Sequence, residues 1–194
     1  MPPSPGRPRR ASQELLQEAA FELFQLRGYR GTSVEQIAKT AGFSRATFFN
    51  FFSSKAELFW VETDALIGAL EGFLSDRLEA GDPPELHDAL LEYAETLDST
   101  VIPWALQHYR LLEAADDLLA SGAGRVMALN RVFLRYLERS EGGREPLDSV
   151  LLGARAAGTT SAVMVCLLAW IDAGVERGRL SEYLARGLRA GHYA

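Results

Sequence analysis

The sequence predicts an all-α protein, with a three-helix head joined by a long fourth helix to a larger helical body, about nine helices in total. Three observations lead there. Apolar residues recur every three and four positions along most of the chain, the spacing that gathers them on one face of a helix. Period-2 alternation, the mark of a half-buried strand, is missing. Gly, Pro and Ser breakers fall at intervals that suit helices rather than hairpins. Of 194 residues, 47% are hydrophobic and 24% charged, which supplies a buried core and argues against a disordered chain.

The elements follow in order. Leu15, Leu16, Ala19, Ala20, Leu23 and Phe24 form one apolar stripe on a first helix that closes at Gly28. A second helix runs from Thr32 to about Thr40, with Thr32 and Glu35 at capping-box spacing. Gly42 ends it, and Ser44 is placed to cap a third helix reaching about Phe51. Ser54 and Glu57 repeat the box, so a fourth helix is expected from Lys55 to about Leu78, before Gly81-Asp82-Pro83-Pro84. Further helices are expected at 84–99, 103–119, 124–139, 147–175 and 180–190, separated by Pro103, Ser121-Gly122, Glu141-Gly142-Gly143 and Gly178. This gives a flexible basic arm over 1–11, a head over 12–54 and a body over 55–194.

Composition narrows the function classes. A single cysteine, Cys166, cannot form an internal disulfide, and the Pro-rich, basic start has no apolar run behind it, so a reducing cytoplasm is expected rather than export. The longest apolar run, Ala156 to Ile171, is too short for a bilayer and holds Thr159, Thr160 and Ser161; it is expected as a buried helix, with no membrane partner. The net charge of −6 hides an asymmetry. Residues 1–60 carry eight Lys/Arg against five Asp/Glu, while the rest carries twelve against twenty-one. Only the head has the sign of a phosphate-binding module.

Catalysis and metal binding find no support, and no cofactor is expected. His87, His108 and His192 are far apart in sequence, and neither paired-ligand spacing nor a phosphate-cradling glycine loop appears. Glu85, His87 and Asp88 are expected at the surface of a helix start, and Cys166 as an inert core residue.

The informative stretch is Val34 to Phe52. Two short helices meeting at a tight turn need a small residue at their approach, a residue free to take positive φ, and apolar inner faces. Ala38 and Gly42 supply the first two, and Ile37, Ala41, Phe43, Phe48 and Phe51 the third. The result is a helix-turn-helix whose second helix keeps a short polar face of Ser44, Arg45, Thr47 and Asn50, with Ala46 small enough for close approach. In a major groove Arg suits guanine, Asn suits adenine, and Ala or Thr methyls meet the thymine methyl. Phosphate contact is expected at Thr32, Ser33, Ser54 and Lys55. Arg7, Arg9 and Arg10 allow two readings of the arm, a minor-groove contact or a solubilising tail.

The run Leu15 to Phe59, with Ala19-Ala20, Leu23-Phe24, Gly28-Tyr29, Thr32-Ser33-Val34, Ile37-Ala38, Ala41-Gly42, Thr47-Phe48 and Ser54-Lys55-Ala56-Glu57-Leu58-Phe59, resembles the DNA-binding head of the tetracycline-repressor (TetR) family. The resemblance implies an all-helical homodimer, a palindromic double-stranded operator, and a body that binds a small effector and dimerises through its last two long helices. It departs at Phe49 and Phe51, where the family usually has tyrosines, the first of which commonly meets a phosphate. Thr47-Phe48-Phe49 followed by Lys55, Trp60 and Asp64 resembles, on fewer residues, the mycofactocin-regulator branch, whose bodies take acyl-CoA-like ligands.

In the body, Ala154, Gly158 and Ala162 make a small-residue stripe that, with Leu180, Leu184 and Leu188, could form a four-helix dimer interface. Candidate effector contacts are Tyr93, Trp104, His108, Tyr109, Met127, Asn130, Arg131 and Met164, with Arg131 suited to a carboxylate or phosphate. The expected function is a ligand-responsive repressor released by a small apolar or amphipathic effector, acyl-CoA-like or another hydrophobic compound. The alternatives are a helical ligand-binding protein that has lost DNA binding, and an enzyme on a helical scaffold.

Overall fold

The computed structural model describes residues 9–97, 115–142, 146–174 and 177–190. Among them are α1 (Arg9–Arg27), α2 (Val34–Thr40), α3 (Arg45–Phe49), a 3₁₀ turn (Lys55–Trp60), α4 (Val61–Glu79), α5 (Leu86–Thr96), α6 (Ala115–Glu141), α7 (Pro146–Asp172) and α8 (Leu180–Ala190), and no strand. The all-α expectation holds. Arg9 and Arg10 open α1, while Arg7 lies outside the described residues. The chain divides into two compact units, Met1–Glu62 with Pro103–Gly122, and Thr63–Ile102 with Ala123–Ala194. The boundary falls within α4 and again within α6.

The first unit is built on aromatic packing. Phe24 of α1 stacks on Phe59 with ring centres 5.4 Å apart, and Tyr29 fits against both at 5.2 and 5.4 Å. Leu16, Ala20, Leu23, Ile37, Ala38, Phe48, Phe52 and Leu58 complete the core, and Leu118 of α6 joins it. Buried Gln17 donates its side-chain amide to the Leu58 carbonyl at 3.1 Å, tying α1 to the 3₁₀ turn. Gly28 and Gly42 take φ of 74° and 78°, the left-handed geometry that ends α1 and turns the chain from α2 towards α3.

Three local expectations are corrected here. The cap of α2 is Ser33, paired with Gln36 in a complete capping box, and not Thr32 with Glu35. Thr32 is buried instead, its hydroxyl 2.9 Å from the Gly28 carbonyl, where it satisfies the end of α1. Ser54 makes no side-chain cap bond, and α4 begins at Val61 rather than Lys55. Ala56, Leu58 and Phe59 of the intervening 3₁₀ turn are buried, with Ala56 and Phe59, three apart, on one side of it.

The third correction is at Ser121-Gly122, expected as a break and found inside the continuous α6. The Ser121 hydroxyl donates to the Asp117 carbonyl one turn back at 2.7 Å and accepts from the Trp60 indole N–H at 2.8 Å. A Cβ at Gly122 would stand 3.1 Å from the Trp60 ring. The two small residues are therefore the seat of an indole, and the helix continues through them.

In the second unit, Leu70 and Leu74 of α4, Leu86, Ala89, Leu90 and Ala94 of α5, Val132, Phe133, Tyr136 and Leu137 of α6, Leu152 and Ala156 of α7, and Leu184 and Leu188 of α8 form the core. Asp64 takes Arg125 in a two-pronged pair at 2.8 and 2.9 Å. Cys166 is buried, donates to the Tyr183 carbonyl at 3.2 Å, and has its thiol pKa pushed up by burial, the state of an inert core thiol. Helix α7 is not the buried helix expected. It is long and apolar enough to cross a membrane by length and composition alone, yet only 28% of its apolar window is buried. One face packs on the core, while Leu147, Val150, Leu151, Val165 and Leu168 are exposed.

Two glycines test the packing. A Cβ at Gly187 of α8 would lie 2.2 Å from the Cys166 sulfur, whereas one at Gly124 of α6 meets nothing. Gly187→Ala is expected to cost about 1–3 kcal/mol through overpacking. Gly124→Ala should gain about 0.5–1 kcal/mol, because alanine is the better helix former. Urea unfolding of both variants beside the parent checks this, and equal midpoints would contradict it.

Candidate nucleic-acid interface

Helix α3 presents two faces of opposite character. Phe48 is wholly buried, while Ser44, Arg45, Ala46 and Asn50 are exposed and Thr47 is half-buried. The burial of Phe48 against Ile37 and Ala38 fixes the rotation of this five-residue helix, so its polar face points to solvent as the sequence predicted. Ser44 caps it, accepting from the Thr47 amide at 3.0 Å, and the two hydroxyls lie 2.9 Å apart. The Phe43 amide donates to the Ala38 carbonyl at 2.7 Å, which closes the turn between α2 and α3. Ala38 is the small residue that lets the two backbones approach.

Arg45 is not a lone cation. Its Nε lies 2.5 Å from the Glu35 carboxylate of α2 in an ion pair, and its guanidinium lies 5.1 Å from the centre of the Phe49 ring. Phe49 is 44% exposed, so the phenylalanine that replaces the expected tyrosine acts as a platform on the outer face. Sequence reading missed this role of Glu35, which it assigned to a cap. The pairing crosses the turn between two helices, and no local spacing announces it.

Of the four positions expected to meet phosphate, Ser33 and Ser54 are exposed. Thr32 has its hydroxyl turned inward, and its amide donates to the Tyr29 carbonyl. Lys55 donates to the carbonyls of Tyr29 at 2.5 Å and Thr32 at 2.8 Å, with its ammonium 3.9 Å from the centre of the Tyr29 ring. Burial pushes its pKa down, opposed by the nearby Asp117 carboxylate of α6. The Tyr29 phenol is pushed far up by burial and by its hydrogen bond to Asp117. Lys55 is thus a brace inside the loop that leads into α2.

Of the candidate effector residues in the second unit, Tyr93 and Asn130 have partners within the chain. The Tyr93 hydroxyl donates to the Leu66 carbonyl at 3.3 Å and its ring packs on Phe73. Asn130 reaches Thr160 at 3.4 Å, Met127 and Arg131 are exposed, and Met164 is half-buried. Trp104, His108 and Tyr109 lie outside the described residues. A cavity of about 670 Å³ is lined by none of these; its walls include His87, Leu137, Leu151, Arg155, Thr159 and Leu188. His87 meets the Thr159 hydroxyl at 3.2 Å in this wall, and Arg155 pairs with Glu141. Glu85 and Asp88 are exposed as expected and His87 is half-buried, and Glu85 also borders this cavity. Ala154, Gly158 and Ala162 face the same space, whereas Leu184 and Leu188 are buried in the core of the chain itself.

Comparison with known proteins agrees with this geometry. Residues 16–60 match the family described as "Bacterial regulatory proteins, tetR family". A protein of Mycobacterium tuberculosis assigned as the mycofactocin biosynthesis transcriptional regulator MftR is 27% identical over 142 residues, 72% of this chain and 70% of its own. FadR of Thermus thermophilus, a TetR-family repressor solved with lauroyl-CoA, shares the fold with a TM-score of 0.60 at 24% identity over 92% of both chains. NalD of Pseudomonas aeruginosa, the secondary repressor of the MexAB-OprM efflux pump, does so at 0.54 and 19% identity, over 95% of this chain and 97% of its own. Residues 16–60, with the outward polar face of their helix-turn-helix, thus match the head of the TetR family, and nearly the whole chain shares the fold of solved regulators that carry such a head.

Proposed function

We propose that this chain is a transcriptional regulator of the TetR family, a cytoplasmic repressor that binds a palindromic operator as a homodimer and leaves it when a small effector binds the body. The observation that carries the DNA reading is the outer face of α3, where Ser44, Arg45, Ala46, Phe49 and Asn50 are exposed on a helix anchored by a fully buried Phe48. In this reading Arg45 and Asn50 read base edges, and Ala46 and Thr47 offer methyl contact. Ser33 meets the phosphate backbone, and Lys55 holds the loop that presents it.

A dimer is needed because two recognition helices must stand about 34–36 Å apart, one turn of duplex. The exposed row on α7 supports it. Leu147, Val150, Leu151, Val165 and Leu168, with the small residues Ala154 and Gly158 between, form an apolar strip suited to a second copy of the same helix. The effector reading is a small apolar or amphipathic compound, acyl-CoA-like in one version, consistent with the acyl-CoA carried by a repressor of the same fold. Coupling through α4, whose residues belong to both units, would need about 1–3 kcal/mol, a roughly 5- to 150-fold change in operator affinity.

Selection from a randomised duplex library at two salt concentrations tests the reading. An enriched palindrome whose binding weakens as salt rises is expected; salt-independent retention or no enrichment would overturn it in favour of a ligand-binding protein without DNA function. Arg45→Ala should flatten base preference at one position per half-site, at a cost of about 1–3 kcal/mol. Lys55→Ala should weaken binding to every sequence alike and lower stability by about 1–3 kcal/mol, through two lost hydrogen bonds from a charged donor. Val165→Glu, at a site 68% exposed in the single chain, should shift the protein to monomer in sedimentation and abolish palindrome binding while the thermal melt of the chain stays cooperative.

A further inference from the structure

We infer that Glu35 and Phe49 are positioning residues for base readout: together they clamp the Arg45 guanidinium so that only its Nη edge is offered to DNA. The inference rests on the DNA-binding reading above and adds two residues to it. Glu35 holds Arg45 through Nε at 2.5 Å, and the Phe49 ring lies 5.1 Å from the guanidinium carbon. Phe49 is itself fixed, meeting the buried Phe48 edge-on with centres 5.5 Å apart at 82°. A guanidinium has five N–H donors in a planar fork, and bidentate pairing with guanine O6 and N7 uses two of them. With the Glu35 carboxylate set against the Nε side of the guanidinium, the Nη groups are the pair that stands open for the base.

The clamp is not there for the fold. The side chains of Arg45 and Glu35 are 62% and 59% exposed, and an ion pair that open adds little to stability. The position of Glu35 is also unfavourable for general affinity, because an exposed carboxylate beside the reading helix repels phosphates. Such a charge lowers binding to all duplexes, while its hold on Arg45 favours the one base pair that meets the prepared fork. That combination trades affinity for discrimination.

The test is selection and competition binding on the operator enriched by the parent protein, with Glu35→Gln, Phe49→Leu, Phe49→Tyr and Arg45→Ala. Arg45→Ala identifies the base pair concerned. Glu35→Gln is expected to lose about tenfold in preference at that pair alone, to bind random duplex more tightly than the parent, and to add nothing when combined with Arg45→Ala. Phe49→Leu should lose preference at the same pair, and Phe49→Tyr, which keeps the ring, should retain it. Unchanged preference in Glu35→Gln, or an equal loss at every position with unaltered random-duplex affinity, overturns the clamp while the regulator reading stands. A folded parent that enriches no duplex overturns both.

Discussion

The aromatic cluster around Phe59 is the constraint on which the head depends. Phe24, Tyr29 and Phe59 lie within 5.2–5.4 Å of one another, and each comes from a different stretch of chain. Large rings each bury more apolar area than the aliphatic side chains around them, and their close packing leaves few other arrangements. With α1 and the 3₁₀ turn locked by these rings, Ile37, Ala38 and Phe48 have one remaining wall to pack against. The rotation of α3, and with it the direction of its polar face, follows from that packing.

Polar groups in the head then serve the loop between α1 and α2. Thr32 satisfies the carbonyl end of α1, Ser33 and Gln36 satisfy the amide end of α2, and Lys55 bonds two carbonyls in between. Thr32 is buried and Lys55 partly so, and polar groups buried without a partner are costly. Asp117 reaches the same place from α6 through the Tyr29 phenol, and Trp60 is seated on Ser121 and Gly122 of that helix. Trp60 and Asp64, the residues that carried the weaker resemblance, therefore have packing partners on α6, Ser121 for one and Arg125 for the other.

The body follows a different rule. Its core takes the inner faces of α4 to α8, yet α7 keeps a second apolar face that nothing among the described residues covers. Leucine and valine on that face are not explained by the fold of one chain, because the same helix already has its core contacts through Leu152, Ala156 and Cys166. Leu184 and Leu188 show the converse. Their spacing marks an apolar stripe, and the stripe is spent inside the chain.

The helical class, the left-handed turn at Gly42, the chain breaks at Gly28, Gly81, Gly142 and Gly178, the outward polar face of α3 and the buried Phe48 were all legible in the sequence. Each depends on residues within a turn or two of one another, and helical periodicity reports such neighbours directly. What only the tertiary structure decided are the choices between equally plausible local options. Ser33 and not Thr32 caps α2, because Thr32 is pulled inward by the end of α1. Ser121-Gly122 continues a helix because Trp60, 61 residues away, fills the space beside it. The Glu35 carboxylate binds Arg45 across a turn, and Lys55 faces two carbonyls rather than solvent. For Trp60 and Lys55 the deciding partner lies 61, 26 or 23 residues away, and for Thr32 and Glu35 it lies on another element. Each pair becomes neighbours only once the elements have packed.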